Sequence, residues 1–193
     1  MFSIPCVIFA GGKSSRMGED KALLPFADFD TLTQYQYNRL SKLFSNVYIS
    51  CKDKSKFHFP AAFIEDAKGL DIYAPTLGFV TAFKELKEER FFALSVDSPF
   101  VGEDEIQKLL LSNNTNVNAV IAQTQEGMQP LCGIYSRTLL PKFEKMLDEN
   151  NHKLGLLLKN TNTTFVYFDN KNAFANLNHP NEYQEALKII SHC

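Results

Sequence analysis

The residues with the most chemical promise form one stretch, Ala10-Gly11-Gly12-Lys13-Ser14-Ser15-Arg16-Met17-Gly18-Glu19-Asp20-Lys21. Gly11, Gly12 and Gly18 free the backbone for close approach to a ligand, and Lys13, Arg16 and Lys21 put three cations within nine residues. Such a loop suits a triphosphate, whose oxygens take backbone N–H groups while the cations balance its charge. Two familiar phosphate motifs fail by position. Gly12-Lys13-Ser14 would close a Walker A motif only with glycine at position 7, where Val7 stands. A dinucleotide fingerprint opening at Gly12 would need glycine where Ser14 stands. By residue type alone, the stretch is equally a triphosphate loop or a solvated turn with incidental charges.

A loop of this kind works only if rigid elements hold it. Residues 4–9 form a short apolar run that reads as a strand buried on both faces, delivering the chain to Gly11 and Gly12. From 32 to 44 the apolar positions Leu32, Tyr35, Leu40, Leu43 and Phe44 recur at helical spacing, with Gln34, Gln36, Asn38 and Lys42 assigned to the outer face. Further strands are predicted at 47–49, 62–64, 91–96, 118–122, 131–135 and 165–168. Helices are predicted at 77–86 with Thr76 as N-cap, after Pro99 with Glu103, Asp104 and Glu105 in the first turn, at 138–147 and 154–158, and at 182–190 entered through Pro180. Strands alternating with helices predict an α/β fold, a mainly parallel sheet with helices on both faces, and the adjacent runs near 120 and 133 predict an antiparallel strand within it. Residues 1–193 are expected to form a single domain.

Composition narrows the partners. Twenty Lys+Arg against 22 Asp+Glu give a net charge of −2, which argues against a broad face for nucleic acid. No apolar run approaches the roughly 20 residues that span a bilayer, so neither nucleic acid nor membrane is expected as a partner, and a cytoplasmic location is. Cys6, Cys51, Cys132 and Cys193 form no C-x-x-C pair, and Cys6, inside an apolar run, and Cys51, just after one, read as small apolar residues of a reducing compartment. His58, His152, His179 and His192 have no zinc-ligand spacing and are assigned to the surface.

The order of residues in the loop goes further than its composition. It resembles the pattern Leu-Ala-Gly-Gly-x-Ser-x-Arg-Met-Gly-x-Asp-Lys of the MobA-type molybdenum cofactor guanylyltransferases, with Phe9 in the place of Leu and Ala10, Gly11, Gly12, Ser14, Arg16, Met17, Gly18, Asp20 and Lys21 in register. Gly11 and Asp20 favour guanine, since the CTP-using relatives usually carry Ala-Gly there and often Pro before Lys. The resemblance extends to Asp66 after Phe63-Ile-Glu, to Pro75-Thr-Leu-Gly78, to Asp97 in Ser95-Val-Asp-Ser-Pro99, and to Asn176 and Asn178 near the C-terminus. The chain departs from the pattern at Ala74, Gln129 and His179, and at Ser50, where an asparagine is common.

The resemblance implies a Rossmann-like, GT-A-like nucleotidyltransferase fold and transfer of GMP from GTP to molybdenum-bearing molybdopterin, with release of pyrophosphate. It implies catalytic roles for Arg16, Lys21 and Asp97, and Mg2+ held by Asp97, since magnesium takes few protein carboxylates and completes its shell with phosphate oxygens and water. Substrate contacts are implied for Phe9, Ala10, Gly11, Gly12, Lys21, Ser50, Asp66, Gly78, Asp97, Asn176 and Asn178. GTP and molybdopterin are the implied partners, together with proteins of molybdenum insertion and molybdoenzyme maturation. Other readings stay open: Asp66 and Asp97 as turn residues, Asn178 as a helix N-cap, a cytidylyl- or sugar-nucleotidyltransferase, or a catalytically inactive nucleotide-binding regulator. Asp97 is expected beside Asp66 and other acids, so that its neutralisation holds or raises the melting temperature.

Overall fold

The computed structural model describes residues 1–12, 17–66 and 74–191. Seven strands form one sheet: β1 (Cys6–Phe9), β2 (Val47–Cys51), β3 (Ala62–Glu65), β4 (Arg90–Ser95), β5 (Ala119–Thr124), β6 (Gly127–Ser136) and β7 (Thr163–Tyr167). Their spatial order is β3-β2-β1-β4-β6-β5-β7. The pairs β1 with β2, β1 with β4, β2 with β3, and β5 with β7 are parallel, while β6 runs antiparallel to both neighbours. The antiparallel strand expected near 120 and 133 is therefore β6.

Strand alternation builds two cores. Cys6 and Ile8 of β1, with Phe92 and Leu94 of β4, face one layer, and Val7 and Phe9, with Phe91 and Ala93, face the other. The first layer takes the apolar stripes of α1 (Leu32–Leu40), α3 (Glu103–Leu111) and α6 (Pro180–Ile190). The second takes those of α2 (Pro75–Glu85), α4 (Leu140–Asp148) and α5 (Leu154–Lys159), around the stacked rings of Phe79 and Phe143, 4.6 Å apart. Strands covered on both faces read as continuous apolar runs, as the sequence of β1 and β4 does.

Two local expectations are corrected. Helix α2 opens two residues earlier than predicted, with Ala74 as N-cap and Pro75 in its first turn, so Thr76 lies inside the helix and does not cap it. Proline's fixed φ is already helical and its missing N–H is no loss there. Helix α1 ends at Leu40, and Gln36, assigned from periodicity to the outer face, is fully buried. Among the described residues, no helix is long and apolar enough to cross a membrane.

The chain runs from β1 to β2 and β3 on one side, then returns through β4 on the other side of β1. That reversal leaves a crevice beyond the carboxyl ends of β1 and β4, the usual ligand position in an open α/β sheet. The glycine-rich loop leaves β1 there, and Asp97 leaves β4 there.

Candidate active site

The end of β1 is fixed before the loop begins. Ala10 N–H donates to Ser50 O at 2.8 Å and Val96 N–H donates to Phe9 O at 3.1 Å, so both neighbouring strands hold the chain where it turns. Among the described residues, nothing comes closer than 4.0 Å to a Cβ at Gly11 and nothing within 4 Å of one at Gly12. Gly18, at φ +75°, needs glycine for its backbone. Arg16, together with Lys13 and Ser14, lies outside the described residues.

Lys21 opens a short 3-10 turn, Lys21–Leu23, capped by the Asp20 carboxylate, which accepts from Ala22 N–H at 3.2 Å. Asp20 also pairs with Lys56 at 3.2 Å. The turn aims Lys21 across the crevice. Its ammonium donates to Asp97 Oδ2 at 2.5 Å and to Asn178 Oδ1 at 3.1 Å, joining residues 76 and 157 positions apart. Both members of the ion pair are 14% exposed. Ser95 hydroxyl donates to the other carboxylate oxygen, Oδ1, at 2.6 Å.

The C-terminal segment closes over the same point. Leu177 N–H donates to Asp97 O at 2.9 Å, and Ser98 hydroxyl donates to Asn176 Oδ1 at 2.6 Å. Asn178 does not cap α6. Glu182 reaches back to accept from the N–H groups of Asn178 and His179, at 2.7 and 2.8 Å, which leaves the Asn178 amide for Lys21.

Other predicted residues lie elsewhere. Asp66 follows β3, three strand spacings from β4, about 14 Å away across the sheet. There its carboxylate accepts from Thr81 hydroxyl at 3.0 Å, and burial raises its pKa, with the Thr81 bond and Lys52 opposing the rise. The expectation that Asp97 sits beside Asp66 is therefore corrected: Asp97 faces a cation. Phe9, Ser50 and Gly78 meet one another in the seam between α2 and the sheet. A Cβ on Gly78 would stand 2.8 Å from Ser50 Oγ and 2.9 Å from the Phe9 ring, so glycine is demanded there by packing.

A cleft of about 380 Å³ opens beside Asp97, bounded by Ser98 and Asn176, by Gln129 and Pro130 of β6, and by His152 and Leu154. Tyr135 hydroxyl donates to Pro130 O and steadies that wall. His152, assigned from sequence to the surface, bridges Thr76 Oγ1 at 2.7 Å and Asn150 Oδ1 at 2.9 Å and so ties the first turn of α2 to the approach to α5. No local signal marks the contact with α2, because Thr76 is 76 residues away.

Beneath the Asp97 loop lies a second group that the sequence did not single out. Gln36 Nε2 donates to Val96 O at 3.0 Å and Ser95 O at 3.4 Å, while Gln36 Oε1 accepts from Arg39 Nε at 2.6 Å. Arg39 then donates to Val101 O at 2.7 Å and Ser98 O at 3.4 Å. Burial lowers the pKa of this guanidinium, which nonetheless keeps its charge.

Among the described residues no cluster of three or more His, Cys, Asp or Glu side chains could cage a metal. The donors at the crevice are hard oxygens: the Asp97 carboxylate and the hydroxyls of Ser95 and Ser98. One carboxylate facing an open polar cleft fits magnesium, which enters such sites with phosphate oxygens and water, and the ammonium on Asp97 marks a position that attracts a cation.

Residues 6–163 match the MobA-like NTP transferase domain. The chain belongs to that family. Among the relatives of this NTP transferase, the molybdenum cofactor guanylyltransferase of Campylobacter jejuni subsp. doylei is 43% identical over 181 residues, covering 93% of each chain. The Helicobacter pylori protein of the same name is 33% identical over 193 residues, 97% of this chain and 94% of that one. In fold, the NTP transferase superposes on molybdopterin-guanine dinucleotide biosynthesis protein A from Archaeoglobus fulgidus with TM-score 0.84 at 19% identity, covering 98% and 100% of the two chains. It also resembles CMP:2-keto-3-deoxy-manno-octonic acid synthetase, with TM-score 0.74 at 14% identity and 99% coverage of each.

Proposed function

We propose that this chain transfers GMP from GTP to the terminal phosphate of molybdenum-bearing molybdopterin and releases pyrophosphate. The convergence of Lys21, Asp97 and Asn178 at the β1/β4 crevice carries this reading, since two distant segments close on the turn that follows the glycine loop. Kinship at 43% identity with a protein named for the guanylyl transfer supports the choice of nucleotide and acceptor. Residues 1–193 are read as one domain acting in the cytoplasm, with molybdenum-insertion and molybdoenzyme maturation proteins as its partners.

The chemistry is an in-line displacement. An oxygen of the acceptor phosphate forms a bond to the α-phosphorus as the bond to the β-phosphate oxygen breaks, and pyrophosphate departs. The attacking phosphate is ionised at neutral pH, so no side-chain base is required. Both reactants are anionic, and alignment with charge neutralisation supplies most of the rate. Asp97 is the residue that would hold Mg2+, which supplies charge neutralisation at the phosphates when bound. Lys21 leaves Asp97 and pairs with the departing phosphates, and Arg16 serves the same oxygens. Ala10, Gly11 and Gly12 let the nucleotide lie against the backbone. Among the described residues, none packs closely enough to require either glycine of the pair. Asp66 would contact the nucleotide, with Ser50, Phe9 and Gly78 backing that side from the buried seam under α2, and Asn176 and Asn178 would face the acceptor.

The test is pyrophosphate release with GTP, CTP or ATP in the presence of Mg2+ and molybdopterin, beside calorimetric titration of each nucleotide. GTP is expected to bind at least about tenfold more tightly than CTP or ATP, a difference of about 1.4 kcal/mol. Equal or better binding and turnover of CTP overturns the guanine assignment.

A further inference from the structure

The Asp97 loop is held from below by its backbone oxygens. Helix α1 takes four of them: Gln36 those of Ser95 and Val96, Arg39 those of Ser98 and Val101. Asp97 O goes to Leu177 N–H. The carbonyls on both sides of Asp97 are therefore aimed at α1, and the carboxylate is turned toward the crevice. The amide orientation of Gln36 is fixed by the network, because Arg39 Nε only donates and must face Oε1, which turns the donor Nε2 to the two carbonyls.

We propose that Gln36 and Arg39 are positioning residues for the nucleotidyl transfer, setting the Asp97 carboxylate through the backbone of residues 95–101. The proposal rests on the metal-holding role of Asp97 given above. Its physical ground is the chemistry of the pair. Gln36 is fully buried. Arg39 has no carboxylate partner among the described residues, so its charge is met by carbonyl dipoles and the Gln36 oxygen. Apolar side chains would join α1 to the sheet without the cost of burying an amide and a guanidinium. What they would not do is fix the direction of four carbonyls around one residue. A carboxylate that must meet a metal and a phosphate tolerates little misplacement, and an error of about 1 Å costs about a hundredfold in rate.

The proposal separates from a purely structural role in two measurements on the full-length enzyme. One is pyrophosphate release with Mg2+ titrated at saturating GTP, and the other is hydrogen exchange of the 95–101 segment in the ligand-free protein. Arg39→Met should speed exchange in 95–101, raise the Mg2+ half-saturation concentration by about tenfold or more and lower kcat, with KM for GTP little changed. Arg39→Lys, which keeps the charge and one donor direction, should recover part of the loss. If Arg39→Met does not fold, Gln36→Met decides by the same readings, since it removes the Ser95 and Val96 contacts and leaves the guanidinium on its two carbonyls. A lower melting temperature with kcat, KM and Mg2+ dependence per folded molecule at wild-type values overturns the proposal. Asp97→Asn, run alongside, distinguishes the two failures: if it retains turnover, the metal-holding role falls and the positioning role with it. If it is inactive while the Arg39 and Gln36 variants keep wild-type constants, only the positioning role falls.

Discussion

Asp97→Asn separates function from stability, and the structure sets the sign of both effects. The substitution keeps shape and removes charge. In the ligand-free protein Asp97 accepts from Lys21 at 2.5 Å and from Ser95 at 2.6 Å, and the ion pair is 14% exposed on each side. A charge-assisted hydrogen bond contributes about 1.5–3 kcal/mol and a neutral one about 1, so asparagine should cost about 1–2 kcal/mol. For a chain of this size each kcal/mol moves the melting temperature by about 2–4 °C, which gives a fall of about 2–8 °C in metal-free buffer. This reverses the expectation drawn from sequence, where like-charge relief beside Asp66 would hold or raise it. Turnover should fall by about a hundredfold or more, as for other losses of a preorganised electrostatic group. Thermal melts with and without Mg2+ and GTP, beside the pyrophosphate assay, measure both. A melting temperature at or above wild type without metal refutes the stabilising role of the Lys21–Asp97 pair. A destabilised but fully active variant removes Asp97 from the site.

Three further outcomes follow from the packing and burial of particular residues. Gly78→Ala should cost about 1–3 kcal/mol by overpacking against Ser50 and Phe9, and the added change Ser50→Gly should return part of it; chemical denaturation of the single and double variants measures this, and full stability of Gly78→Ala refutes the seam. Burial raises the folded pKa of Asp66 above its unfolded value, so its ionisation opposes folding at neutral pH, and that cost disappears as pH falls through the folded pKa toward the unfolded one. Asp66→Asn should therefore melt higher than wild type at pH 7 and equal to it near pH 3, while weakening nucleotide binding; melts across pH that stay parallel contradict it. Burial pushes the Cys51 thiol up to about 12 and those of Cys6 and Cys132 well above the ordinary range, so alkylation of the native protein at pH 8 followed by peptide mapping should find none of the three modified, and rapid labelling of any of them contradicts its burial.

Sequence alone carried the local layer of this protein. The apolar runs of β1 and β4, buried on both faces, and the helical stripes between strands specified a mainly parallel α/β sheet, because side-chain periodicity is a local consequence of backbone geometry. The order of residues from Phe9 to Lys21 was sufficient to indicate the family, since a loop that approaches phosphates fixes its glycines and cations along one short segment. The tertiary structure decided which polar groups meet. Lys21 reaches Asp97 and Asn178 only because the chain reverses across β1, and Asp66 stands apart because its strand lies at the opposite end of that half of the sheet. Gln36 was assigned to the outer face because periodicity counts apolar residues, whereas a buried amide is recognised only through its hydrogen-bond partners, and the carbonyls it meets lie about 60 residues away in the chain.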